Sequence, residues 1–527
     1  MTADIERAQE TLPALLARNS AEHGAKAAIV ADGRSITHAE LDAGSRDLAT
    51  RLVAAGVSKS ARVGVLMPNG IEWALTAAAV TRLGAVLVPL STLMRAPELL
   101  AHLQTARPTH IVVAKEYRGR SYLADLEQIA PGIIASTAVE YRHAALPSLR
   151  KIWAFEDWPV PGVEEAMVRA LEGMVRPADD LVILFTSGSR SAPKGVIHTH
   201  GNAIRATTAG LFSRCIGSED RLYTPMPFFW TGGFSAALMT VLVAGATLLT
   251  ESAAEPEGTF DLLERERATL FRGWPDQAAR LAAHPRFATA DLSSLGPGSL
   301  PAVLPPNRRP PPGARASLFG MTETFGPYCG DRADLDLPED KHGSCGRPFE
   351  GIGVRVFDPD TGIEVVPGTT GEIRVRGPNV MRSISGLLRE EIFDRQGFYP
   401  TGDLGALDSD GYLWYHGRLD DMFKVKGATV YPAEVEAALR DIEGVRLAFA
   451  TNVGAEDGGQ EVGALVIGDP SLDQVVKATR ARLSSFKVPT RWYLTAAMDE
   501  APLTASGKVD LGALRRLIEN KGHRPGR

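Results

Sequence analysis

Cysteine is scarce in this chain of 527 residues. Cys215, Cys329 and Cys345 stand far apart, with no C-x-x-C pair and no histidine at ligand spacing beside them. That excludes a disulfide scaffold and a thiolate metal site, and it is the usage expected in a reduced, cytoplasmic compartment. Positive charge is not in excess either: 57 Lys and Arg face 63 Asp and Glu, a net charge of −6. There is therefore no basic footprint, and nucleic acid is not an expected partner. Asp4, Glu6 and Glu10 precede any long apolar run, which argues against a signal peptide. One uncharged run, Phe234 to Thr250, approaches the length of a membrane span. Gly245 interrupts it, and its character changes there from Ala-rich to β-branched, which fits a buried helix turning into a buried strand. No membrane span is expected. Internal repeats and a coiled-coil period are also missing.

What is present is an ordinary globular composition, 44% hydrophobic and 23% charged, in a chain too long for a single core. Two or more domains are expected. The stretch Ile183 to Thr199 organises the rest: an apolar run, Leu181 to Phe185, stops at Thr186, Ser187, Gly188, Ser189, Arg190 and Ser191, then resumes through Pro193, Lys194, Gly195 and Val196. Hydroxyls and N–H groups of a Ser/Gly turn can converge on phosphate oxygens, and a nearby lysine adds a point charge. The Walker spacing is absent, so this is a different kind of phosphate loop. A plain surface loop between strands is the alternative for this window alone.

Taken in order, Thr37 and Glu40 form a capping box that starts a helix running to about Ala55 and ending at Gly56. Val63–Met67, Ala85–Leu90 and Ile111–Ala114 read as short buried strands, with helices at Ile71–Leu83 and Ala96–Thr105 between them. This alternation predicts an α/β fold with a mostly parallel, covered sheet. Gly201 to Phe212 reads as a helix. Phe228, Phe229 and Trp230, followed by Gly232 and Gly233, could line a pocket or simply be core. Pro297 to Gly313 is a Pro-rich extended loop. From Gly343 to Gly417, closely spaced turn signals predict a β-rich subdomain. Beyond it, helices at Pro432–Leu439 and Ser471–Leu483 and a strand at Gly463–Ile467 make a compact α+β unit.

Five windows together resemble the adenylate-forming superfamily of acyl- and aryl-CoA synthetases, luciferases and peptide-synthetase adenylation domains. They are the loop Thr186 to Gly195, the Tyr/Phe-Gly-x-Thr-Glu element at Phe319 to Glu323, the Thr-Gly-Asp element at Thr401 to Asp403, the hinge element Gly417 to Asp421 and the element Pro502 to Lys508. All occur in the family's order. The resemblance implies a large N-terminal adenylation domain, residues 1–419, and a small mobile C-terminal domain, residues 420–527, with the active site between them. It implies that a small-molecule carboxylic acid attacks the α-phosphate of ATP to give an acyl-adenylate and pyrophosphate, and that a thiol, CoA, then displaces AMP. Thr186, Ser187, Gly188, Ser189 and Lys194 are implied to hold the pyrophosphate end of ATP, and Glu323 to hold Mg2+, a hard cation that prefers carboxylate oxygen. Thr322 is implied at the α-phosphate, Phe319 on adenine, and Gly298, Ser299, Leu300, Ser317, Leu318, Gly320 and Met321 around it. Asp403 and Arg418 are implied at the ribose. Lys508 is implied to meet the charge that develops as the acid attacks. For the thiol step the small domain is implied to turn about Asp420, bringing Lys424 to the adenylate and Lys426 and Gly427 to the pantetheine tunnel. A solvated strand face is the other reading of those two lysines.

Departures from the family pattern narrow the expectation. Ser189-Arg190-Ser191 stands where the family shows Thr-Thr-Gly, a stiffer turn with an added cation. Pro301–Pro312 replaces a helix. Trp230 stands where many CoA synthetases carry His and amino-acid-activating domains carry Asp; without that Asp nothing holds an α-ammonium. Trp230 with Phe228, Phe229, Gly232 and Gly320 implies a pocket for an apolar acid, whether fatty, aromatic or polycyclic. An acyl-AMP ligase that loads a carrier protein and a binding protein that has lost catalysis are the competing readings, and a homodimer is left open.

Overall fold

The structure, a computed structural model, describes residues 10–132, 143–157, 162–186, 193–425, 428–455, 460–483, 485–504 and 509–525. The chain divides into two compact units, one of residues 1–353 and 375–399, the other of residues 354–374 and 400–527.

The first unit is built on two sheets. Five strands of its seven-stranded sheet, Asp180–Thr186, Val86–Pro89, Arg62–Leu66, His110–Val113 and Lys151–Ala154, are mutually parallel. Their Val/Ile/Leu runs are buried on both faces, the pattern the continuous apolar runs predict. Lys194–Thr199 joins antiparallel to Asp180–Thr186, and Ser383–Ile384 closes that edge. The second sheet orders Leu270–Phe271, Arg221–Tyr223, Thr247–Thr250 and Ala27–Ala31 in parallel, with Arg34–Thr37 antiparallel at the far edge. The expected helices form at His38–Ala54, Ile71–Arg82, Ala96–Ala106 and His200–Leu211. The first has the expected capping box: the Thr37 hydroxyl accepts from the Glu40 amide at 3.2 Å, and the Glu40 carboxylate accepts from the Thr37 amide at 2.8 Å. Gly56 just beyond it has φ +94°, open to glycine at little cost.

The ambiguous run resolves as a turn of π-helix at Phe234–Met239, a helix at Thr240–Ala244 and a buried strand at Thr247–Thr250, with Gly245 left-handed between them (φ +68°). Among the described residues no helix is long and apolar enough to cross a membrane. The Pro-rich loop holds only two single turns, Pro301–Val303 and Pro306–Arg308, yet Val303 and Leu304 are buried in a core cluster with Phe260 and Phe271. It is tied down by its apolar residues despite lacking regular structure.

An ion network knits three helices of this unit. Arg82, fully buried, donates to Asp42 and Ser45, each at 2.8 Å, and pairs with Glu172; Arg46 also holds Asp42 at 3.0 Å.

Most of the expected β-rich part falls in the second unit, as four strands ordered Gly353–Phe357, Gly371–Arg376, Tyr399–Leu407 and Leu413–Arg418 whose ends Gly353, Val375, Arg376 and Tyr399 are counted with the first. The second unit also contains the expected α+β part. There Val445–Gly454 pairs antiparallel with Gln460–Gly468, which pairs in parallel with Arg491–Thr495, and helices Pro432–Arg440 and Leu472–Arg482 pack a core around Trp492. The expected domain boundary at Asp420 falls inside this unit, on the single turn Leu419–Asp421 between its two parts.

Candidate active site

The phosphate-loop segment is a β-hairpin. Asp180–Thr186 and Lys194–Thr199 pair in a register that sets Thr186 opposite Lys194, so the lysine stands where the hairpin opens. Ser187, Gly188 and Ser189 lie outside the described residues. Lys194 Nζ reaches Glu323 Oε1 at 3.0 Å and the Tyr399 hydroxyl at 2.8 Å, and that hydroxyl donates to the same Glu323 oxygen at 3.0 Å. These three groups close a triangle. Glu323 is only 5% exposed, so its negative charge is held by one cation and one hydroxyl in a site with little water.

The backbone carrying Thr322 and Glu323 is fixed from two sides. His198 contacts the Thr322 carbonyl through Nε2 at 2.7 Å, and its Nδ1 meets the Asn202 amide nitrogen at 2.8 Å. The second contact makes Nδ1 the acceptor and so places the proton on Nε2. Burial pushes the pKa of His198 down to about 4, against the raising effect of Thr322 and Glu323, so the ring is neutral. The amide of Met381 donates to the Glu323 carbonyl at 2.8 Å. Two residues past Glu323, Phe325 is left-handed, with φ 58°. A bulky residue there costs on the order of 1–3 kcal/mol, and such conformations cluster at functional sites. Its ring is clamped between His198 (4.9 Å) and Phe234 (6.0 Å), and its carbonyl accepts from Ser235. The Thr322 hydroxyl contacts that of Thr231 at 2.9 Å. Phe319–Met321 pairs antiparallel with Gly326–Gly330, and Gly320 is required there: a Cβ would lie 2.2 Å from the Gly326 carbonyl oxygen. The Phe319 ring stands edge-on to Tyr328 at 5.5 Å, while Ser317 and Leu318 are exposed.

The Gly298–Leu300 segment runs beside the sheet's edge strand. The Ser299 hydroxyl accepts from the Phe271 amide at 3.1 Å, and the Leu300 amide donates to the Phe271 carbonyl at 3.1 Å. Of the aromatic trio, Phe228 is fully buried against Trp73 at 5.3 Å and belongs to the core. Phe229 and Trp230 meet at 5.1 Å, and Trp230 meets Trp274 at 5.4 Å, in both cases edge to face. At Gly232 a Cβ would lie 2.7 Å from the Met226 sulfur. Phe229 also walls a cavity of about 370 Å³ shared with Asn69, Tyr117, Arg118, Arg120 and Glu251.

In the second unit, strand register places Asp403 opposite Arg418, and Arg418 Nη1 donates to Asp403 Oδ1 and to the Thr401 carbonyl, each at 2.9 Å. Asp403 is 7% exposed and takes its shape from Thr401, whose hydroxyl accepts from the Asp403 amide at 3.0 Å. Burial, with the Asp403 charge next, raises the nearby Tyr415 phenol. Asp420 is exposed, with a carboxylate oxygen 3.7 Å from Arg418 Nη2. Lys424 lies on the short strand Phe423–Val425. Lys426, Gly427 and Lys508 lie outside the described residues.

The sequence reading missed Tyr399, Thr231, His198, Asn202 and Trp274. Only proximity to a motif could have drawn attention to them: Tyr399 stands two residues before Thr401, and His198 and Asn202 follow the phosphate loop.

The family profile described as AMP-binding enzyme matches residues 16–384. The chain is 33% identical over 497 residues to a feruloyl-CoA synthase of Amycolatopsis sp, covering 92% of this chain and 94% of that protein. It is 30% identical over 508 residues to an indoleacetate–CoA ligase of Aromatoleum aromaticum, covering 94% and 96%. Among solved structures, ATP-bound MatB from Rhodopseudomonas palustris superposes with a TM-score of 0.75 at 25% identity, covering 97% of this chain and 99% of that one. The anthranilate CoA ligase AuaEII with anthranoyl-AMP has the same fold, with a TM-score of 0.78 at 23% identity and 97% of each chain covered.

Proposed function

The chain belongs to the AMP-binding enzyme family, and on that premise we propose that it activates an apolar carboxylic acid with ATP and passes the acyl group to CoA. In the first step a carboxylate oxygen attacks the α-phosphorus, the bond to the bridging oxygen breaks, and pyrophosphate leaves. In the second the CoA sulfur forms a bond to the acyl carbon, the carbon–oxygen bond breaks, and AMP leaves with its electron pair.

The observation that carries this reading is the Lys194–Glu323–Tyr399 triangle at the mouth of the hairpin. It holds a cation and a carboxylate in fixed positions beside the loop on which the polyphosphate is expected. Lys194 is the group for the pyrophosphate oxygens. Glu323 Oε1 is occupied by Lys194 and Tyr399, while Oε2 takes no hydrogen bond among the described residues. A buried carboxylate oxygen of this kind fits Mg2+, which usually takes one or two protein carboxylates together with substrate phosphates. When bound, the metal supplies charge neutralisation at the phosphates. Thr322, braced by Thr231, is the donor for the α-phosphate. Asp403, acceptor-only when ionised, and Arg418 are the groups for the ribose. Lys508 is assigned to adenylation and Lys424, Lys426 and Gly427 to the thiol step, with Asp420 as the pivot; these assignments rest on the motifs. Trp230 and Trp274 make the wall for an apolar acid. The cavity beside Phe229, apolar within and with Arg118 and Arg120 among its lining residues, suits the arm and phosphates of CoA.

The test is ATP–pyrophosphate exchange over fatty, aromatic and polycyclic acids, repeated with CoA and read by mass. Acid-dependent exchange with acyl-CoA is expected. Exchange without acyl-CoA moves the second step to a carrier-protein thiol, and no exchange with any acid refutes adenylation.

A further inference from the structure

A second cavity in the first unit, polar and of about 210 Å³, lies where the helix His200–Leu211 begins and the chain passes from Gly377 to the edge strand Ser383–Ile384. Three arginines line it, Arg205, Arg382 and Arg389, and no Asp or Glu does. Each is held in place from within the unit. Arg205 Nη2 donates to the Pro378 carbonyl at 3.2 Å. Arg382 Nη1 donates to the Ala178 carbonyl at 3.0 Å and to Asp180 Oδ1 at 2.9 Å. Arg389 Nη1 donates to the Arg382 carbonyl at 3.3 Å, and its guanidinium stands 4.3 Å from the ring centre of Phe393, a buried residue that also lines the cavity. Among the described residues the other N–H groups of Arg382 and Arg389 have no partner, and Arg389 forms no ion pair. Glu391, close to Arg389 in sequence, is taken up by the Leu388 amide at 2.6 Å.

Three cations around one cavity, with only Asp180 reaching any of them, make an arrangement that recognises an anion. The guanidinium fork matches phosphate oxygens two at a time, and groups already fixed on carbonyls and on a ring lose little freedom when the anion arrives. The helix adds to the field: Thr199 and Asn202 at its start line the cavity, and its first turn carries no acidic residue to offset its positive end. The volume lies below the roughly 300–1,000 Å³ of pockets that enclose drug-sized ligands, so it suits a compact anion and not a nucleotide.

The same cavity wall supports the candidate active site. The Met381 amide donates to the Glu323 carbonyl at 2.8 Å, and the Arg382 amide donates to the Ile197 carbonyl at 2.9 Å. The Asn202 side-chain amide donates to the Val380 carbonyl at 3.1 Å and meets His198 Nδ1 at 2.8 Å. An anion held by Arg205 on the helix and by Arg382 and Arg389 on the other segment ties together the two pieces of chain that position Glu323 and His198.

We propose that this cavity binds a compact phosphate-bearing anion, and that the bound anion steadies the segment that holds Glu323. The phosphate belongs either to a free ion, inorganic phosphate or pyrophosphate, or to a small phosphorylated metabolite.

The experiment is calorimetric titration of the full-length protein with inorganic phosphate, pyrophosphate and glucose 6-phosphate, at ionic strength fixed with chloride, for the wild type, Arg389→Met, Arg389→Lys and Lys194→Met. Arg389 is exposed and donates one protein hydrogen bond, so its replacement should leave the fold intact. Binding should survive Lys194→Met, which removes the cation of the phosphate loop. It should weaken about 10- to 100-fold in Arg389→Met, the scale of losing charge-assisted bonds to an anion, and recover in part in Arg389→Lys. Tighter binding of glucose 6-phosphate than of the two inorganic ions assigns the site to a phosphorylated metabolite; the reverse order assigns it to a free ion. Binding that is lost in Lys194→Met and unchanged in Arg389→Met lies at the phosphate loop alone and overturns the proposal, as does no binding of any probe. Amide hydrogen exchange reads the second half: Met381 and Arg382 should exchange several-fold more slowly with the tightest probe bound, in the wild type and Lys194→Met but not in Arg389→Met. Unchanged exchange overturns the link to Glu323. Neither measurement uses turnover, so the ligase reading and this site stand or fall separately.

Discussion

Replacing Tyr399 by Phe removes one oxygen from the most consequential contact in the first unit. That hydroxyl donates to Glu323 Oε1 at 3.0 Å and accepts from Lys194 Nζ at 2.8 Å, and both of these bonds are to charged groups. Bonds of this kind contribute about 1.5–3 kcal/mol. The direct Lys194–Glu323 contact at 3.0 Å survives the substitution, and the lysine side chain is 35% exposed, so water replaces part of what is lost. A net effect of about 2 kcal/mol is expected, which corresponds to roughly 30-fold if all of it is felt in the transition state, at about 1.4 kcal/mol per decade. ATP–pyrophosphate exchange with a saturating acid should show that fall in kcat/KM for ATP, and the melting point should drop with it. The phenylalanine ring fits the same space, so repacking adds little. A lower melting point with unchanged exchange would detach the triangle from the nucleotide. No change in either measurement would refute the geometry itself.

Arg82→Met should destabilise the first unit by about 3–5 kcal/mol, because it leaves Asp42 and Glu172 sharing only Arg46; chemical denaturation that shows no loss would mean the network is dispensable. Acid should weaken the fold in a defined window. Burial lowers His198 and His200 from 6.5 to about 4, so below 6.5 the unfolded chain binds protons that the folded chain refuses. Their contribution is complete above about pH 6.5 and is lost as pH falls toward 4, at up to about 1.4 kcal/mol per pH unit for each ring. His200→Gln should flatten the slope of stability against pH by one ring's worth between pH 6 and 4.5, and an unchanged slope would mean His200 is not held neutral.

The local grammar of the chain determined a good deal without any fold. The Thr37–Glu40 box, the glycines at 56 and 245, and the alternation of buried strands with helices depend on residues within a turn or two of each other, and each formed where the sequence placed it, give or take a residue. The motif order likewise marks Lys194, Thr322, Glu323, Asp403 and Arg418. Helical and strand periods are set by backbone geometry that neighbouring residues fully specify. What joined those positions did not lie within reach of any period. Tyr399 meets Lys194 across 205 residues and Glu323 across 76, and Thr231 meets Thr322 across 91. The aromatic trio shows the same limit: three adjacent rings look alike in sequence, but tertiary packing sends Phe228 into the core against Trp73 and leaves Trp230 facing Trp274. Partners brought together by long-range packing are a property of the tertiary structure alone.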